Sequence, residues 1–268
     1  MIFASDLDRT LIYSTRFINE ENSDFIPIEK KEGRIISYIS KRTIQLLKNI
    51  NESTLFVPVT TRTEAEFNRI DIFKAEIIPK YAIVANGAKI IVNDGERKLE
   101  PYWEKYIEMR MKEIISPEDI LKEIEKVTPK NVILSYRICD KTFVYGKIRL
   151  NTELPHEFIV ELKKICHKYN YKLDLQTRKI HIIPEFINKW LPLEFLKKKE
   201  KEDKIISAGD SFLDLPMLNN SHKGFIPSHG LALDYDDSRK ENMFITKNKG
   251  IEASEEILLK VIDELKVS

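Results

Sequence analysis

Two blocks of alternating apolar strands and helices, separated by a block with a different rhythm, constrain the fold of this chain most. In the first block, strands at 2–5 and 54–59 enclose a helix for which Ser40 is the predicted N-cap. In the second block, a helix at 191–199 precedes a strand at 204–208. Because strands that alternate with helices pair in parallel, the two blocks predict one parallel sheet that is discontinuous in sequence.

Further signals complete the first block. Residues 25–28 and 34–37 are typical of a hairpin, which would overhang the end of the first strand. Thr63 and Glu66 have the spacing of a capping box and predict the start of another helix. A short apolar strand is predicted at 81–85, directly before an Asn-Gly pair.

Between the two blocks, residues 97–186 have a different pattern. A charged helical stretch with a helix start at Ser116 comes first, and a second helix buries Phe158 and its neighbours on one face. Strands are predicted at 131–138, 142–150, 171–176 and 179–184. The order α-β-β-α-β-β predicts a separate α+β domain, which we expect to act as a lid.

Composition narrows the class of protein. Of the 268 residues, 42% are hydrophobic and 32% are charged, which favours a water-soluble globular chain of two domains. A formal charge of +1 creates no overall field toward nucleic acid or anionic lipid, so neither is expected as a partner. The sequence shows no apolar run of a signal peptide or membrane anchor, and we expect a cytoplasmic location.

Two aspartates directly after the first strand give the first chemical signal. Asp6 and Asp8 are two residues apart, and the carboxyl ends of parallel strands line the ligand crevice of such sheets. Carboxylates this close repel each other unless a cation lies between them. A bound divalent metal explains the pair, and a solvated acidic loop is the alternative explanation.

The ends of later segments supply complementary groups, namely a hydroxyl, an ammonium and two more carboxylates. With them, the chain resembles the haloacid dehalogenase-like phosphohydrolases. The four motifs of that family occur in order, as Asp6-Leu7-Asp8-Arg9-Thr10, Val59-Thr60-Thr61-Arg62, Lys189 and Gly209-Asp210-Ser211-Phe212-Leu213-Asp214. The resemblance therefore covers nearly the whole chain.

The resemblance implies a role for each motif residue. Asp6 would attack phosphorus and form an aspartyl phosphate, while Asp8 would protonate the leaving oxygen and later accept a proton from water. Thr60, Thr61 and Lys189 would bind the phosphoryl oxygens, where charge must be held as bonds loosen.

Metal and substrate contacts are implied in the same way. Mg²⁺ would be the cofactor and would screen the repulsion between the attacking carboxylate and the phosphate. Its implied ligands are Asp6, the backbone carbonyl of Asp8, Asp210 and Asp214, the last acting through water or as a support for Lys189. Substrate contacts are implied for Thr10, Arg62, Asn86 and Gly87.

The insert, together with the Asn86-Gly87-Ala88 segment, looks like subfamily IIB, whose larger cap occurs in Cof-type and sucrose-phosphate-phosphatase-like enzymes. The implied fold class is α/β, with a Rossmann-like parallel-sheet core and an inserted α+β (αββαββ) cap. Residues 1–90 and 187–268 would form the catalytic core and residues 91–186 the substrate-specificity cap. The chain departs from the Cof-type pattern at Leu213, where those proteins usually carry Asn.

We therefore expect hydrolysis of a small phosphorylated metabolite, such as a sugar phosphate or a related phosphomonoester. A phosphotransferase or mutase that uses the same aspartyl intermediate is one alternative, and release of inorganic phosphate would distinguish the two. A non-catalytic phosphate-binding protein on the same scaffold is a second alternative, which the variant Asp6→Asn would test. The sequence does not indicate an oligomeric state.

Overall fold

A computed structural model describes residues 1–17, 24–176, 178–235 and 240–267. The chain divides into two compact units, the first formed by Met1–Glu100 with Asn188–Ser268 and the second by Pro101–Ile187. The first unit contains a parallel sheet with helices, and the second is an α+β insert, so the predicted fold class is confirmed. Among the described residues, no helix combines the length and the apolar character needed to cross a bilayer.

The strands of the described residues are numbered in chain order. They are β1 (Ile2–Ser5), β2 (Phe25–Lys31), β3 (Arg34–Ser40), β4 (Leu55–Pro58), β5 (Tyr81–Val84), β6 (Lys89–Asn93), β7 (Arg97–Leu99), β8 (Ile133–Cys139), β9 (Phe143–Ile148), β10 (Tyr171–Gln176), β11 (Lys179–Pro184), β12 (Ile205–Ala208), β13 (Lys223–Ile226) and β14 (Met243–Ile245).

The helices are numbered in the same way. They are α1 (Lys41–Ser53), α2 (Glu64–Phe67), α3 (Ile72–Ala75), α4 (Pro101–Met111), α5 (Pro117–Val127), α6 (His156–Lys168), α7 (Leu191–Glu200), α8 (Leu215–Asn220) and α9 (Gly250–Val267).

The core sheet of the first unit has the strand order β14-β13-β12-β1-β4, and every neighbouring pair is parallel. At the carboxyl end of β1, Ser5 is in register with Ala208 of β12 and with Pro58 of β4. A parallel bridge between Val59 and Ile83 connects β4 to β5. The chain leaves β1, β4 and β12 at the same edge of the sheet, which is where the predicted motif residues follow.

Local signals in the sequence set the ends of the first helices. Ser40 caps α1, since its hydroxyl accepts a hydrogen bond from the Thr43 amide. Thr63 and Glu66 form a complete capping box at the start of α2, as their spacing predicts. The predicted hairpin is also present as β2 and β3. Apolar side chains of α1 and α9 then pack on the parallel strands in one continuous core.

One part of the first unit differs from the sequence prediction. The strand β5 pairs antiparallel with β6, and β6 pairs antiparallel with β7, which makes a three-stranded sheet that was not predicted. Residues 97–99, predicted to begin a helical stretch, form β7 instead. The first unit accordingly extends to Glu100, beyond the predicted core segment 1–90.

The second unit contains a four-stranded antiparallel sheet of order β10-β11-β9-β8. Apolar residues of α5 and α6 pack on one face of it, with Ile124, Leu162 and Ile180 among the buried members of their shared core. The predicted order had one helix before the first hairpin, whereas two helices, α4 and α5, precede it. Ser116 is the N-cap of α5, as predicted, and Pro117 at its first position favours a helix start there.

Candidate active site

Parallel pairing brings the polar residues that follow β1, β4 and β12 to one place. The Asp6 amide donates to the Ala208 carbonyl over 2.9 Å, and the Val59 amide donates to the Ser5 carbonyl over 2.7 Å. These hydrogen bonds continue the sheet by one residue beyond each strand. The side chains that follow therefore all extend from the same edge of the sheet.

Four charged residues from this edge form what we call the Lys189 cluster: Asp6, Lys189, Asp210 and Asp214. Lys189 Nζ donates to Asp6 Oδ1 over 2.6 Å and to Asp214 Oδ1 over 2.5 Å. One carboxylate oxygen from each of the three aspartates lies within 4.8 Å of the other two. All four residues are buried, and the side chain of Lys189 is only 1% exposed. The structure thus brings together residues from three segments that are distant in sequence.

The backbone after β12 fixes Asp214. Its Oδ2 accepts hydrogen bonds from the Asp210 amide over 3.1 Å, and from the amide and hydroxyl of Ser211 over 2.8 Å each. Gly209 is needed for this arrangement, because a Cβ at that position would collide with the Asp214 side chain. With Oδ2 occupied in this way, Asp214 can offer Oδ1 to Lys189.

The start of α7 fixes Lys189 from the other side. The Asn188 side-chain oxygen accepts hydrogen bonds from the Trp190 amide over 2.9 Å and the Leu191 amide over 3.0 Å. Gly87 lies against the Asn188 carbonyl, at a position where a Cβ would overlap that group. Its φ of 104° is also in the region that favours glycine. Gly87 therefore acts on the site by letting the segment before Lys189 approach closely.

Burial and mutual repulsion set the charge of the cluster. The pKa of Asp6 is raised from its ordinary value of 3.8 to about 7, because the raising effects of burial and of the Asp214 carboxylate together exceed the lowering effect of the Lys189 ammonium. Burial and the carboxylates of Asp6 and Asp214 raise the pKa of Asp210 well above its usual range. Burial alone would lower the pKa of Lys189, but Asp214 and Asp6 raise it, so the lysine is charged.

The cluster fits a hard divalent cation. Three buried carboxylates converge and Lys189 contacts two of them, and burial together with the repulsion among the carboxylates raises the pKa of the Asp6 and Asp210 carboxyls. Carboxylate oxygens are the ligands that Mg²⁺ prefers. The side chains of Asp6, Asp210 and Asp214 are therefore able to hold such an ion.

The carboxylate of Asp8 has a different environment, which we call the Arg62 network: Asp8, Arg62, Glu29 and Ser37. The Arg62 guanidinium donates from Nε to Asp8 Oδ2 over 2.7 Å and from a terminal nitrogen to Asp8 Oδ1 over 2.8 Å. Its other terminal nitrogen donates to Glu29 Oε2 over 2.6 Å. The Asp8 carboxylate is thus not among the three that converge near Lys189, and Arg62, predicted as a substrate contact, faces acidic residues of the chain itself.

The remaining predicted phosphate and substrate residues lie on the surrounding loops. The Thr10 hydroxyl is 3.4 Å from Asp6 Oδ2, so the structure places it beside the Asp6 carboxylate. Thr60 is buried, and its hydroxyl accepts a hydrogen bond from the Arg62 amide over 3.2 Å. Thr61, between them, is only partly buried.

Asn86 occupies a strained turn beside Thr60. Ala85 and Asn86 have φ angles of 51° and 56°, a region that non-glycine residues rarely adopt. The turn is held because the Ala85 amide donates to the Arg62 carbonyl over 2.7 Å and the Asn86 amide to the Thr60 carbonyl over 3.0 Å. The Asn86 side chain is fully buried, and neither of its polar atoms has a hydrogen-bond partner among the described residues. Such a group usually has a ligand or water partner.

Two residues near the site were missed by the sequence analysis. Arg9 Nε lies 3.4 Å from Asp210 Oδ2, and another Arg9 nitrogen donates to the His229 carbonyl over 2.9 Å. The His229 Nδ1 accepts from the Gly250 amide over 3.0 Å, which leaves Nε2 to donate to the Arg9 carbonyl over 2.9 Å. The position of Arg9 directly after the second aspartate of the first motif is the signal that could have indicated it.

The comparison with known protein families decides the family. A sequence profile described as haloacid dehalogenase-like hydrolase matches residues 3–227. The chain belongs to the haloacid dehalogenase-like hydrolases. In this hydrolase the profile spans every residue of the Lys189 cluster and of the Arg62 network. No curated protein matches the chain in sequence.

Solved structures with a similar fold cover almost the whole hydrolase. The sucrose-phosphatase of Synechocystis, solved in complex with sucrose and phosphate, is 14% identical with a TM-score of 0.70 over 99% of this chain and 98% of that chain. A haloacid dehalogenase-like hydrolase from Bacillus subtilis is 16% identical with a TM-score of 0.56, over 97% and 91%. A trehalose-6-phosphate phosphatase related protein is 15% identical with a TM-score of 0.55, over 100% and 99%. At these identities the likeness is one of fold.

Proposed function

We propose that this hydrolase is a Mg²⁺-dependent phosphatase that acts on a small phosphorylated metabolite through a phosphorylated Asp6. The observation that carries the proposal is the Lys189 cluster, in which one buried ammonium bridges Asp6 and Asp214 beside a third carboxylate. Burying charged groups in a cluster of this kind costs stability, which favours a role for the cluster in binding a ligand. A phosphate group together with a divalent cation matches its chemistry.

Asp6 is the nucleophile in this proposal. A lone pair of its carboxylate forms the new O–P bond, and the bond between phosphorus and the leaving oxygen breaks. Lys189 holds Asp6 Oδ1, and the Thr10 hydroxyl lies at Oδ2, so the orientation of the carboxylate is limited before substrate binds. A water molecule then attacks phosphorus, which releases phosphate and restores Asp6.

Asp8 moves the protons. In its protonated form it gives its proton to the leaving oxygen in the first step, and the resulting carboxylate takes one from the attacking water in the second, which restores the acid. Its side chain is 47% exposed, whereas that of Asp6 is 7% exposed, so Asp8 has the access to water that this role requires.

The phosphoryl oxygens are held by groups of the same edge. Lys189 supplies the positive charge, and Thr60 and Thr61 lie on the loop after β4 as hydroxyl donors. The Asn86 carboxamide has no hydrogen-bond partner among the described residues and lies in the turn bonded to Thr60, which supports a further contact with the substrate or with a water beside it.

Asp6, Asp210 and Asp214 would hold the metal, together with the Asp8 carbonyl that the family motif implies. When bound, Mg²⁺ neutralises charge on the phosphate and on the attacking carboxylate, so that two anions can approach.

The substrate class is proposed from the similar folds. Two of the proteins with a similar fold are a sucrose-phosphatase and a protein related to trehalose-6-phosphate phosphatase. We extend this to a sugar phosphate or a related phosphomonoester, with the second unit, Pro101–Ile187, as the specificity domain.

The test is a panel of sugar phosphates, phosphoglycerates and nucleotides with Mg²⁺, assayed for inorganic phosphate. A positive substrate is then followed by rapid quenching, and an acyl phosphate sensitive to hydroxylamine is expected on Asp6. Isomeric sugar phosphates formed without phosphate release would indicate a mutase instead. Absence of turnover across the panel, with and without Mg²⁺, would overturn the proposal.

A further inference from the structure

Glu29 is a buried carboxylate that the proposed reaction does not use. It lies on β2 at an irregularity of the hairpin register, and its side chain is 0% exposed. Both of its oxygens are occupied: Oε2 accepts from Arg62 over 2.6 Å and from the Ser37 hydroxyl over 2.8 Å, and Oε1 accepts from Arg69 over 3.0 Å. A fully buried carboxylate is expensive to desolvate, so its stability contribution alone does not explain it.

Glu29 holds one end of the Arg62 guanidinium, and Asp8 occupies the other. The two contacts to Asp8 are bidentate, while the remaining terminal nitrogen contacts Glu29. The guanidinium is planar, so fixing one edge on a buried carboxylate fixes the direction in which the other edge points. The Arg62 backbone is held as well, since its carbonyl accepts from Ala85 and its amide donates to Thr60.

Asp8 itself lies on a loop and is half exposed, next to Arg9 with a φ of 67°. A carboxylate in such a place has several rotamers open to it unless a partner selects one. A proton donor is effective only when it is oriented toward the leaving oxygen, and a misplacement of about 1 Å can cost about 10²-fold in rate.

We infer that Arg62, anchored by Glu29 and Ser37, is a positioning residue that orients the Asp8 carboxylate for proton transfer. The inference rests on the proposed function, and it replaces the predicted substrate contact of Arg62 with an action through Asp8. The hairpin β2–β3 thereby contributes to the active site through a residue that never contacts the substrate.

The experiment compares p-nitrophenyl phosphate with phenyl phosphate, whose leaving oxygen is more basic and needs protonation more. We expect Arg62→Gln to lower kcat for phenyl phosphate about 10-fold more than for p-nitrophenyl phosphate. Glu29 does not contact Asp8, so Glu29→Gln should change the ratio of the two kcat values in the same direction but by a smaller factor. Arg62→Lys should fail to restore the ratio, because an ammonium cannot replace the bidentate fork.

Arg69→Gln is the matched control, since Arg69 contacts Oε1 of Glu29 whereas Arg62 contacts Oε2. It should change kcat for both substrates by the same factor, whatever its effect on thermal stability. Ser37→Ala, a smaller change to the anchor, provides the same measurement if Arg62→Gln does not fold. An Arg62→Gln enzyme with unchanged kcat values and a raised KM would overturn the inference and make Arg62 a substrate contact. A wild-type enzyme that turns over neither aryl phosphate nor any member of the substrate panel would instead overturn the proposed function, and the inference with it.

Discussion

The Lys189 cluster and the Arg62 network begin on the same short loop and give two aspartates opposite surroundings. Asp6 is 7% exposed and contacts a lysine shared with Asp214, while Asp8, two residues later, is 47% exposed and contacts an arginine fork. A lysine carries a compact charge, whereas the planar fork of an arginine fixes the orientation of the carboxylate that it binds. Under the proposed function, these surroundings prepare the same residue type for attack in one place and for proton transfer in the other.

The largest expected effect is on the Lys189 cluster, at its nucleophile. Asp6→Asn should reduce phosphate release on the order of 10⁵-fold or more for every substrate, because no covalent intermediate can form. The matched control is Asp71→Asn, at a side chain that is 72% exposed, which should be fully active. Retention of activity in Asp6→Asn, measured with the fold verified by circular dichroism, would remove Asp6 as the nucleophile.

In the Arg62 network, the corresponding change is Asp8→Asn. We expect a loss of about 10²–10⁴-fold with an alkyl phosphate, because its leaving oxygen must be protonated, and a much smaller loss with p-nitrophenyl phosphate. The measurement is kcat/KM for both substrates. Equal losses on the two would mean that Asp8 is not the acid and that the two clusters do not divide the chemistry.

Lys189→Met should lower kcat by the same factor for all substrates, in contrast to Asp8→Asn. Loss of the charge at the phosphoryl oxygens should lower kcat about 10²–10³-fold. The variant also leaves two buried carboxylates without their cation, which should cost roughly 3–5 kcal/mol in the free energy of unfolding measured in urea. Lys198→Met, at a side chain that is 75% exposed, is the control and should change neither quantity appreciably. A native-like stability for Lys189→Met would contradict the geometry of the cluster.

The smallest expected effect is a dependence of metal stabilisation on pH. Burial raises the pKa of Asp6 to about 7 in the folded metal-free chain, above its unfolded value near 3.8. Such a carboxyl stabilises the fold at low pH, and this contribution is lost as the pH rises through about 7. The metal-free melting temperature should therefore fall between pH 5 and pH 8.

Mg²⁺ competes with protons for the same oxygens, so it should restore more stability at pH 8 than at pH 5. At about 100 times its dissociation constant it would add about 2.7 kcal/mol, or roughly 5–10 °C in melting temperature at pH 8. Asp210→Asn removes one carboxylate and should weaken the response. An equal shift at both pH values would argue against a metal site at the Lys189 cluster.

Much of the fold and of this cluster could be predicted because the residues follow recognisable elements. Asp6 comes after β1 and Asp210 after β12, and parallel register brings such ends to one edge. The hairpin of β6 and β7 also had a signal, since Asp94-Gly95 directly follows the apolar stretch of β6 and Gly95 has a φ of 94°. Its position next to a charged helical stretch led to a helix prediction instead.

Glu29 could not have been predicted from its own neighbourhood. The segment Ile28-Glu29-Lys30-Lys31 is typical of a solvated hairpin strand, and lone glutamates are usually exposed. The arginines that make its burial possible, Arg62 and Arg69, are 33 and 40 residues further along the chain. Only the folded arrangement reveals that a hairpin of ordinary composition carries an internal charge.

The place of β1 in the core sheet bears on how the protein is made. Strand β1 lies between β4 and β12, and Asp6 is 183 residues from Lys189 in the chain. During translation, β1 therefore leaves the ribosome before β12 does. The edge of β1 that pairs with β12 stays unpaired until the segment beyond the insert has been synthesised. An unpaired strand edge readily pairs with other chains and aggregates. We therefore expect chains truncated before β12 to be inactive and to depend on chaperones for solubility.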